Sequence, residues 1–402
     1  MTNLYNEMLY ALPKPGALID TNYSMEYFFD LFPALIELKT TPQDAYYHAE
    51  GDVWTHTKMV CQALIDCEEY AQATERDKFV MFYSALFHDI SKPPTTKHED
   101  DGRITSKGHS KRGSVDTRIL LWKNEVPFDI REDIVNIVAT HQVPFFAFAD
   151  DPNKTGQNKP YRSPEYIAHQ LSWQLPLNLL IAVAKADMIG RHYVGKQDCL
   201  DDIDLFKELA LEQNCLYQPK DFPDDVTRMK YFRSTGAISP EYPFYKETGS
   251  EVIVLSGLPA VGKNTWVENN AKGLEILSFD DAKEALGLVQ GDNVGEAVHM
   301  VIDRAKELLR RKEPFVWNAT HLSQQMRDKT LDLLYNYDAK VKLVYLEAPE
   351  DEIKKRNNLR DSTLPNSKID EMLFKWEVPT KLEAHEVIYE PEHGMKKKLK
   401  MK

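Results

Sequence analysis

Apolar residues recur at every third or fourth position through much of the first half of this 402-residue chain. Two stretches show the pattern well: DKFVMFYSALF, at residues 77–87, and REDIVNIVAT, at residues 131–140. This spacing is typical of helices that bury one face against a core. The pattern predicts an all-α domain over residues 1–235.

The pattern changes after residues 236–249, a segment rich in Ser, Gly and Pro that we interpret as a linker. Beyond it, short apolar runs alternate with amphipathic helical stretches. That alternation predicts an α/β domain over residues 250–402, with a parallel sheet and helices on both faces. The predicted strands are EVIVLSG, EILSFD, PFVWNAT and VKLVYLEA, and the predicted helices include VGEAVHMVIDRAKELLRRK and QQMRDKTLDLLYNY.

The first predicted strand of the α/β domain runs into a glycine-containing loop, GLPAVGKNTW. Gly257, Gly262 and Lys263 have the spacing of loops whose backbone N–H groups and lysine bind nucleotide phosphates. The hydroxyl that usually follows the lysine comes one residue late, because Asn264 precedes Thr265. We therefore expect a site for ATP and Mg²⁺, with the ion held by Thr265, by Asn264 or through water.

Acidic and basic residues follow at positions suited to phosphoryl transfer. Asp280 and Asp281 come at the carboxyl end of the next predicted strand, where ligands bind in open α/β sheets. We expect one of them to cap the following helix and the other to take a proton from an acceptor hydroxyl. Farther on, Arg356 and Arg360 lie four residues apart, either on a phosphate-binding face or on a solvated basic face.

Histidines and carboxylates lie at the apolar faces or ends of the predicted helices in the first half. His56 opens one helix, His88 and Asp89 end another, and His141 and Asp187 follow apolar residues at helical spacing. One inward histidine is more often a satisfied core residue than a ligand. Several together favour a divalent transition metal such as Mn²⁺, Ni²⁺ or Co²⁺, which imidazole and carboxylate ligands suit.

The second half resembles the polynucleotide 5′-kinase family over nearly all of residues 250–390. The motifs that carry the resemblance, in the same order as in the family, are GLPAVGKNTW, SFDDAKE, NATHL and KKRNNLR. The resemblance implies that Lys263 binds the donor phosphates and that Asp280 is the general base for the 5′-hydroxyl. It also implies that Arg360, with Arg356 one turn before it, reaches the ATP phosphates. Lys283 stands where relatives often carry an arginine for the acceptor's 3′-phosphate.

The first half resembles the HD phosphohydrolase superfamily, and its motifs HAEGDVWTHT and LFHDISKP are similar to the HD modules of tRNA-nucleotidyltransferase-type enzymes. The resemblance implies a helical fold around a metal whose bound water, with a pKa of about 7, attacks phosphorus. It implies that His109 and His141 hold a second metal. Lys92 abuts the pair His88 and Asp89, so we expect it to bind phosphate oxygens, with a solvated surface lysine as the alternative. The residues that match the H…HD…D signature are His56, His88, Asp89 and Asp187. The histidines without such a context, interpreted as surface or structural, are His48, His98, His169 and His192.

The net charge of −13 argues against a protein that coats nucleic acid non-specifically, but permits an enzyme that binds one strand end through a local basic patch. The first residues lack the pattern of a secretory signal, and no apolar run is long enough to span a bilayer. The four cysteines form no CxxC pair, which favours reduced thiols. We expect a cytoplasmic protein with no membrane partner.

Together, the halves resemble bacterial and phage fusions of an HD domain with a polynucleotide kinase, which heal RNA ends. The implied activities are phosphorylation of 5′-hydroxyl ends and removal of 2′,3′-cyclic, 2′- or 3′-phosphates from RNA or DNA strand ends. A separate ligase then acts downstream.

Two alternatives stay open: an HD nucleotidase fused to a nucleoside or sugar kinase, and a non-enzymatic module that senses nucleotides or binds RNA. SFDDAKE and KKRNNLR favour a polynucleotide acceptor, and the complete set of expected metal ligands favours an enzyme.

Overall fold

The computed structural model describes residues 4–149, 162–245, 249–288, 295–359 and 364–392. The chain forms two compact units, Met1–Asp221 and Phe222–Lys402. The first is helical and the second contains a parallel sheet with helices, so the predicted fold class is confirmed.

The first unit consists of helices, with one small hairpin that the sequence pattern did not predict. Two 3-10 helices cover Pro33–Thr40 and Val143–Phe145, and the antiparallel hairpin pairs β1 (Lys97–His98) with β2 (Ile104–Thr105). The helices in chain order are α1 Leu4–Tyr10, α2 Tyr27–Leu31, α3 Val53–Ile65, α4 Glu68–Gln72, α5 Glu75–Phe87, α6 Lys92–Thr95, α7 His109–Lys123, α8 Phe128–Thr140, α9 Pro164–Ser172, α10 Leu177–Ile189 and α11 Lys196–Glu212.

Helices α3, α5 and α10 pack against one another at the centre of this unit. Residues 79–87 of α5 are all buried, because this stretch is apolar on every side. Each buried phenylalanine there stabilises the fold by about 1.5–3 kcal/mol relative to an exposed one. Helix α3 begins at Val53, three residues before His56, and its N-cap Asp52 accepts a hydrogen bond from the Thr55 N–H at 2.8 Å. Contacts of His56 with Asp187 and His88 place the last turn of α10 and the end of α5 next to the start of α3.

The second unit is built on a five-stranded parallel sheet in the order β4-β5-β3-β6-β7, with the predicted strand before the glycine loop in the middle. Its strands are β3 Glu251–Ser256, β4 Glu275–Ser278, β5 Phe315–Asn318, β6 Lys340–Glu347 and β7 Glu386–Pro391. Its helices are α12 Asp225–Arg233, α13 Lys263–Asn270, α14 Phe279–Ala285, α15 Gly295–Arg311, α16 Gln324–Tyr335, α17 Glu350–Asn358 and α18 Asn366–Leu373.

All four predicted strands are present, and the edge strand β7 is an addition. Its residues are half-buried or exposed and half of them are Glu or Pro, so the sequence EVIYEP lacks the apolar run of a central strand. The parallel pairing brings the carboxyl ends of the strands to one edge of the sheet, where Ser278 pairs with Asn318 and Ser256 pairs with Tyr345. Ligand-binding residues are expected along that edge.

The division between the units falls after Asp221, so the predicted end of the first domain at residue 235 is corrected. Helix α12 belongs to the second unit because the buried guanidinium of Arg228 donates to the carbonyls of Ala384 and His385, at 3.3 and 2.7 Å. The predicted linker is irregular where it is described, and Phe244 N–H donates to Thr227 Oγ1 of α12 at 3.1 Å. The sequence pattern assigned α12 to the first half only because it is a helix.

No helix among the described residues has the length and apolar character needed to cross a bilayer. The four cysteines are free thiols, and Cys61 and Cys215 are buried. Burial raises the pKa of the Cys215 thiol to about 11, so it stays protonated and packs as a small apolar side chain.

Candidate metal centre and phosphate loop

The residues predicted as metal ligands lie together at the centre of the helical unit. Helices α3 and α10 each carry one of them, and the ends of α5, α7 and α8 supply the others. None exposes more than 7% of its surface. The residues brought together are His56, His88, Asp89, His109, His141 and Asp187.

Three of the histidines are held by the same local contact. In His88, His109 and His141, Nδ1 lies 2.7, 2.8 and 2.8 Å from the main-chain carbonyl three residues earlier. A carbonyl oxygen only accepts, so Nδ1 carries the proton and Nε2 presents a lone pair. Such a contact fixes the ring and tautomer of a metal-ligating histidine.

The Nε2 atoms of two of these rings are buried without a hydrogen-bond partner among the described residues, in His88 and His141. Buried polar atoms nearly always have a hydrogen-bond partner, so two buried Nε2 atoms without one require an explanation. His88 Nε2 lies 3.1 Å from Asp89 Oδ2, and His109 Nε2 lies 3.3 Å from Asp89 Oδ1. The carboxylate of Asp89 is thus the central group of the cluster.

The cluster contains two sets of ligand atoms that share Asp89. One set is His56, His88 and Asp89, and the other is Asp89, His109 and His141; within each set the ligand atoms lie within 4.8 Å of one another. Asp187 joins the first set, since its Oδ1 lies 3.0 Å from His56 Nε2. Imidazole and carboxylate donors in this arrangement fit two divalent transition-metal ions that share a carboxylate.

The electrostatics keep Asp89 and His141 in the protonation states that metals require. Burial opposes ionisation of Asp89, but His88 and Lys92 hold its pKa well below the usual range. Burial lowers the pKa of His141 to about 3, so this imidazole is neutral. Burial lowers the pKa of His88, but Asp89, Asp187 and the hydrogen bond with the Ala85 carbonyl together raise it above its ordinary value. A positive charge is therefore favoured beside Asp89.

Two cations flank the carboxylates of the cluster. Lys92 Nζ lies 2.7 Å from Asp89 Oδ2 and donates to Gln43 Oε1 at 2.6 Å. Arg191 donates to both carboxylate oxygens of Asp187, at 2.7 to 2.9 Å. Lys92, which the sequence predicted to bind phosphate, thus lies in the wall of the centre with its ammonium group beside the central carboxylate.

Sequence reasoning missed Glu50 and gave no context to His48. His48 is buried, and its Nδ1 lies 2.8 Å from Glu50 Oε1. The same oxygen lies 2.9 Å from Nδ1 of His56, and Glu50 Oε2 accepts from the N–H of His192 at 2.9 Å. The available signal was HAEGD, which places both residues just before His56. A carboxylate behind a ligating histidine fixes its ring orientation.

In the second unit, the loop between β3 and α13 has the conformation that its glycines predict. Gly257 and Gly262 have φ values of +148° and +104°, which L-residues rarely adopt. A Cβ at Gly257 would lie 2.5 Å from the carbonyl oxygen of Leu346. Lys263 Nζ donates to the carbonyls of Gly257 and Leu258, at 3.0 and 2.8 Å. The ammonium group therefore lies against the loop at the start of α13, where phosphates bind.

The residues after the lysine face the carboxyl edge of the sheet. Asn264 Oδ1 accepts from Nδ2 of Asn318, the last residue of β5, at 2.8 Å. Thr265 is exposed, like Asn264. Asn318, which the sequence did not single out, adds a third polar side chain to the candidate Mg²⁺ site.

The cap of α14 differs from the prediction that one of its two aspartates supplies it. Ser278 Oγ accepts from the N–H of Asp281 at 3.3 Å, so the serine is the cap and that expectation was wrong. A serine hydroxyl just before the first helical residue reaches this N–H more readily than a carboxylate inside the first turn. Asp280 Oδ1 accepts from Lys283 Nζ at 3.1 Å, and its side chain is 84% exposed. Asp280 therefore offers an open carboxylate at the edge of the sheet.

Arg356 contacts the phosphate loop from α17. One of its N–H groups donates to the carbonyl of Val261 at 3.2 Å, and the others donate to Glu352 at 3.0 Å and to Glu392 at 2.9 Å. The predicted partner in ATP binding, Arg360, lies outside the described residues.

Parts of the chain are similar to a domain family and to proteins of known name. Residues 252–379 match a protein-family model described as an AAA domain. The chain is 25% identical over 138 residues to the L-seryl-tRNA(Sec) kinase of Methanococcus maripaludis, which is 32% of this chain and 53% of the relative. A gluconokinase structure from Sinorhizobium meliloti 1021 has a TM-score of 0.27 and 21% identity, and the match covers 37% of this chain and 84% of that one.

The chain is also similar to part of a protein whose name does not describe a kinase. The chain is 31% identical over 120 residues to the Multifunctional CCA protein of Pasteurella multocida, which is 30% of this chain and 27% of the relative. The chain thus spans about a quarter of the length of that relative and about half of the kinase's length.

Proposed function

We propose that this protein heals the ends of broken RNA. The second unit transfers a phosphate from ATP to a 5′-hydroxyl, and the first removes a 2′,3′-cyclic, 2′- or 3′-phosphate. The observation that carries the proposal is the presence, in one chain with a kinase-like P-loop unit, of a buried cluster with two sets of ligand atoms around Asp89. One unit creates the 5′-phosphate and the other the 3′-hydroxyl that a separate ligase requires.

In the first unit, the two sets of ligand atoms that share Asp89 would hold two divalent transition-metal ions. When bound, such ions polarise phosphoryl oxygens and activate water. The buried rings keep their Nε2 lone pairs toward the centre because their Nδ1 protons are committed to carbonyls. Lys92 and Arg191 balance the charge of the carboxylates, at 2.7 Å from Asp89 and Asp187 respectively. The ammonium group of Lys92 also stabilises negative charge that develops on a substrate phosphate.

In the second unit, the loop N–H groups and Lys263 bind the outer phosphates of ATP. Asp280 accepts the proton of the 5′-hydroxyl while that oxygen forms its bond to the γ-phosphorus and the bond to ADP breaks. Lys283, 3.1 Å from Asp280, orients the carboxylate and adds positive charge on the acceptor side. Asn264, Thr265 and Asn318 provide the oxygen atoms available to Mg²⁺.

The main alternative is a kinase for a small acceptor joined to a nucleotidase. The name of the L-seryl-tRNA(Sec) kinase relative gives an acceptor that is neither a 5′ end nor a free small molecule, so it favours neither candidate. The openness of Asp280 favours a strand end, since its side chain is 84% exposed and small acceptors are usually enclosed.

The test is one assay with two labelled oligoribonucleotides, ATP, Mg²⁺ and Mn²⁺. One strand carries a 5′-hydroxyl and the other a 2′,3′-cyclic phosphate. In parallel reactions, free nucleosides or gluconate replace the strands as the acceptor. Conversion of both ends supports the proposal. Phosphorylation of the free nucleosides or gluconate, with neither strand converted, would replace it with the small-molecule alternative.

A further inference from the structure

Three tyrosine rings form an exposed cluster on the first unit. Tyr46 and Tyr47 meet edge to face, with ring centroids 4.8 Å apart. The ring of Tyr193 completes the cluster, at 5.8 Å from Tyr46 and 5.3 Å from Tyr47. Tyr46 is 63% exposed and Tyr47 is 48% exposed. We call these three side chains the tyrosine platform.

Both chain segments that carry the platform are connected to the metal centre through residues next to the tyrosines. Tyr47 directly precedes His48, and Tyr193 directly follows His192. Glu50 joins the two segments, because its carboxylate contacts His48 at 2.8 Å and accepts from the His192 N–H at 2.9 Å. The same carboxylate reaches the ligand His56, at 2.9 Å. The platform is therefore tied to the centre through one buried side chain.

Local hydrogen bonds fix the main chain that carries two of the rings. Tyr46 N–H donates to Asp44 Oδ1 at 3.0 Å, and Tyr47 N–H donates to the carbonyl of Asp44 at 3.1 Å. On the other segment, a Cβ at Gly195 would lie 2.5 Å from the hydroxyl of Tyr193, so glycine leaves room for that ring. A platform held this way loses little conformational entropy when a ligand binds.

The size of the platform points to a small planar ligand. Full burial of one tyrosine removes about 150–250 Å² from water, and these rings are already partly buried. A stable protein partner needs about 800 Å² on each side. Aromatic rings that are rigid and partly exposed beside a phosphate-handling site are the arrangement on which nucleobases stack.

We propose that the tyrosine platform stacks against the base of the nucleotide whose phosphate enters the metal centre. This inference rests on the proposed function, because it assigns that substrate's base to a surface outside the ligand cluster. Stacking tolerates any base, since each has a flat aromatic face. The platform thus makes the first unit favour phosphates carried on a nucleic-acid end over free phosphate esters, without selecting a sequence.

The first test is binding by the full-length protein of an oligoribonucleotide with 2-aminopurine at its 3′-phosphorylated end. Tyr47→Ala and Tyr193→Ala should raise the Kd about 5- to 150-fold, the range expected for one lost base stack. Tyr47→Phe and Tyr193→Phe should retain binding because they keep the ring. The control is Tyr217→Ala, which removes a tyrosine that is 74% exposed elsewhere on the same unit.

The second test compares hydrolysis of normal and abasic 3′ ends. The Ala variants should raise KM for the normal end with little change in kcat, and should leave the abasic end unaffected. Equal effects on both substrates, or Phe variants as weak as the Ala variants, would overturn the stacking role. If the wild type hydrolyses RNA ends and the Ala variants match it, the platform proposal fails alone. If the wild type neither binds nor hydrolyses RNA ends, the proposed function fails and the platform proposal with it.

Discussion

One carboxylate oxygen of Glu50 contacts two imidazole rings: it lies 2.9 Å from Nδ1 of His56 and 2.8 Å from Nδ1 of His48. Burial opposes ionisation of Glu50, but the contacts with His48 and His56 hold its pKa well below the usual range. The ionised carboxylate orients the His56 ring so that Nε2 faces Asp187 and Asp89, at 3.0 and 3.9 Å. The orientation of the predicted ligand His56 thus depends on Glu50, which contacts its other ring nitrogen.

Replacement of this carboxylate should weaken metal binding at one of the two ligand sets. We expect Glu50→Gln to lower affinity about 10- to 100-fold at the set that contains His56, because the ring loses its charged partner. The set that contains His109 and His141 should keep its affinity. Calorimetric titration with Mn²⁺ should then show one weakened site and one unchanged site. Glu26→Gln, an exposed glutamate of the same unit, is the control. Two unchanged sites would show that Glu50 does not position His56.

Substitutions in the two units should separate the two activities. Asp89→Asn removes the charge shared by both ligand sets, so it should abolish metal binding and 3′-end hydrolysis while 5′ phosphorylation continues. Metal content and the two end-labelled assays measure this. Loss of phosphorylation in this variant would contradict independent sites.

The converse loss should follow from changes in the kinase-like unit. Lys263→Ala should lower phosphorylation about 10²–10³-fold, as when a preorganised donor to a phosphoryl group is removed. Asp280→Ala should lower it about 10²–10⁴-fold, the range for a general base. Both variants should keep full 3′-end hydrolysis. A variant that lost both activities would require the units to act as one.

A methyl group on the first loop glycine should impair the phosphate loop. Gly257→Ala combines a φ of +148° with a Cβ placed 2.5 Å from a backbone carbonyl, so the loop must shift. Strain of this kind costs on the order of 1–3 kcal/mol. We expect weaker ATP binding by calorimetry and a lower unfolding temperature of the second unit. Gly273→Ala is the control, because it has φ +84° with no atom within 4 Å of the added carbon. Equal ATP affinity in both variants would show that the loop tolerates the shift.

His321 should make the second unit less stable in mild acid. Its Nδ1 donates to the carbonyl of Leu255 at 2.8 Å, so Nε2 of the neutral ring carries no proton. Nε2 therefore accepts from the Thr330 hydroxyl, at 3.0 Å. Burial lowers the pKa of His321 to about 4, which means that the folded state favours the neutral ring. Its contribution is complete above the unfolded pKa of about 6.5 and is lost as the pH falls from there through about 4. The loss is on the order of 3 kcal/mol.

Hydrogen exchange of amides in β3 and β5, corrected for the intrinsic pH dependence of exchange, reports this stability. His321→Gln should flatten the pH dependence between about pH 4 and 6.5, while His299→Gln, an exposed histidine of the same unit, should not. An unchanged slope in His321→Gln would assign the acid sensitivity to other groups.

Patterns over a few consecutive residues predicted much of this structure. The predicted runs EVIVLSG, EILSFD, PFVWNAT and VKLVYLEA contain the strands β3 to β6, and the helical spacing of the first half corresponds to helices. The glycine conformations of the phosphate loop and the inward placement of His88, Asp89 and Asp187 also follow from local spacing. These features depend on a few consecutive residues, whose periodicity determines which side chains face a core.

Other features depended on contacts between residues far apart in the chain. The sequence of α12 predicts a helix but does not indicate which unit the helix joins. The hydrogen bonds from Arg228 to the carbonyls of Ala384 and His385 assign it to the second unit. Strand β7 forms because the main chain of β6 offers it hydrogen bonds, although its own sequence is weakly apolar.

The sequence by itself determined the types of candidate ligand, the glycine loop predicted to bind phosphate and the order of the two units. Only the tertiary structure decided that Glu50 orients His56, that Asn318 meets Asn264, and that Tyr193 joins Tyr46 and Tyr47. Composition and spacing describe one segment at a time. The second and third of these relationships arise where packing brings two segments within hydrogen-bond or ring-contact distance, and that depends on the whole core. Glu50 and His56 lie in one stretch, but spacing alone does not say that the carboxylate reaches the ring.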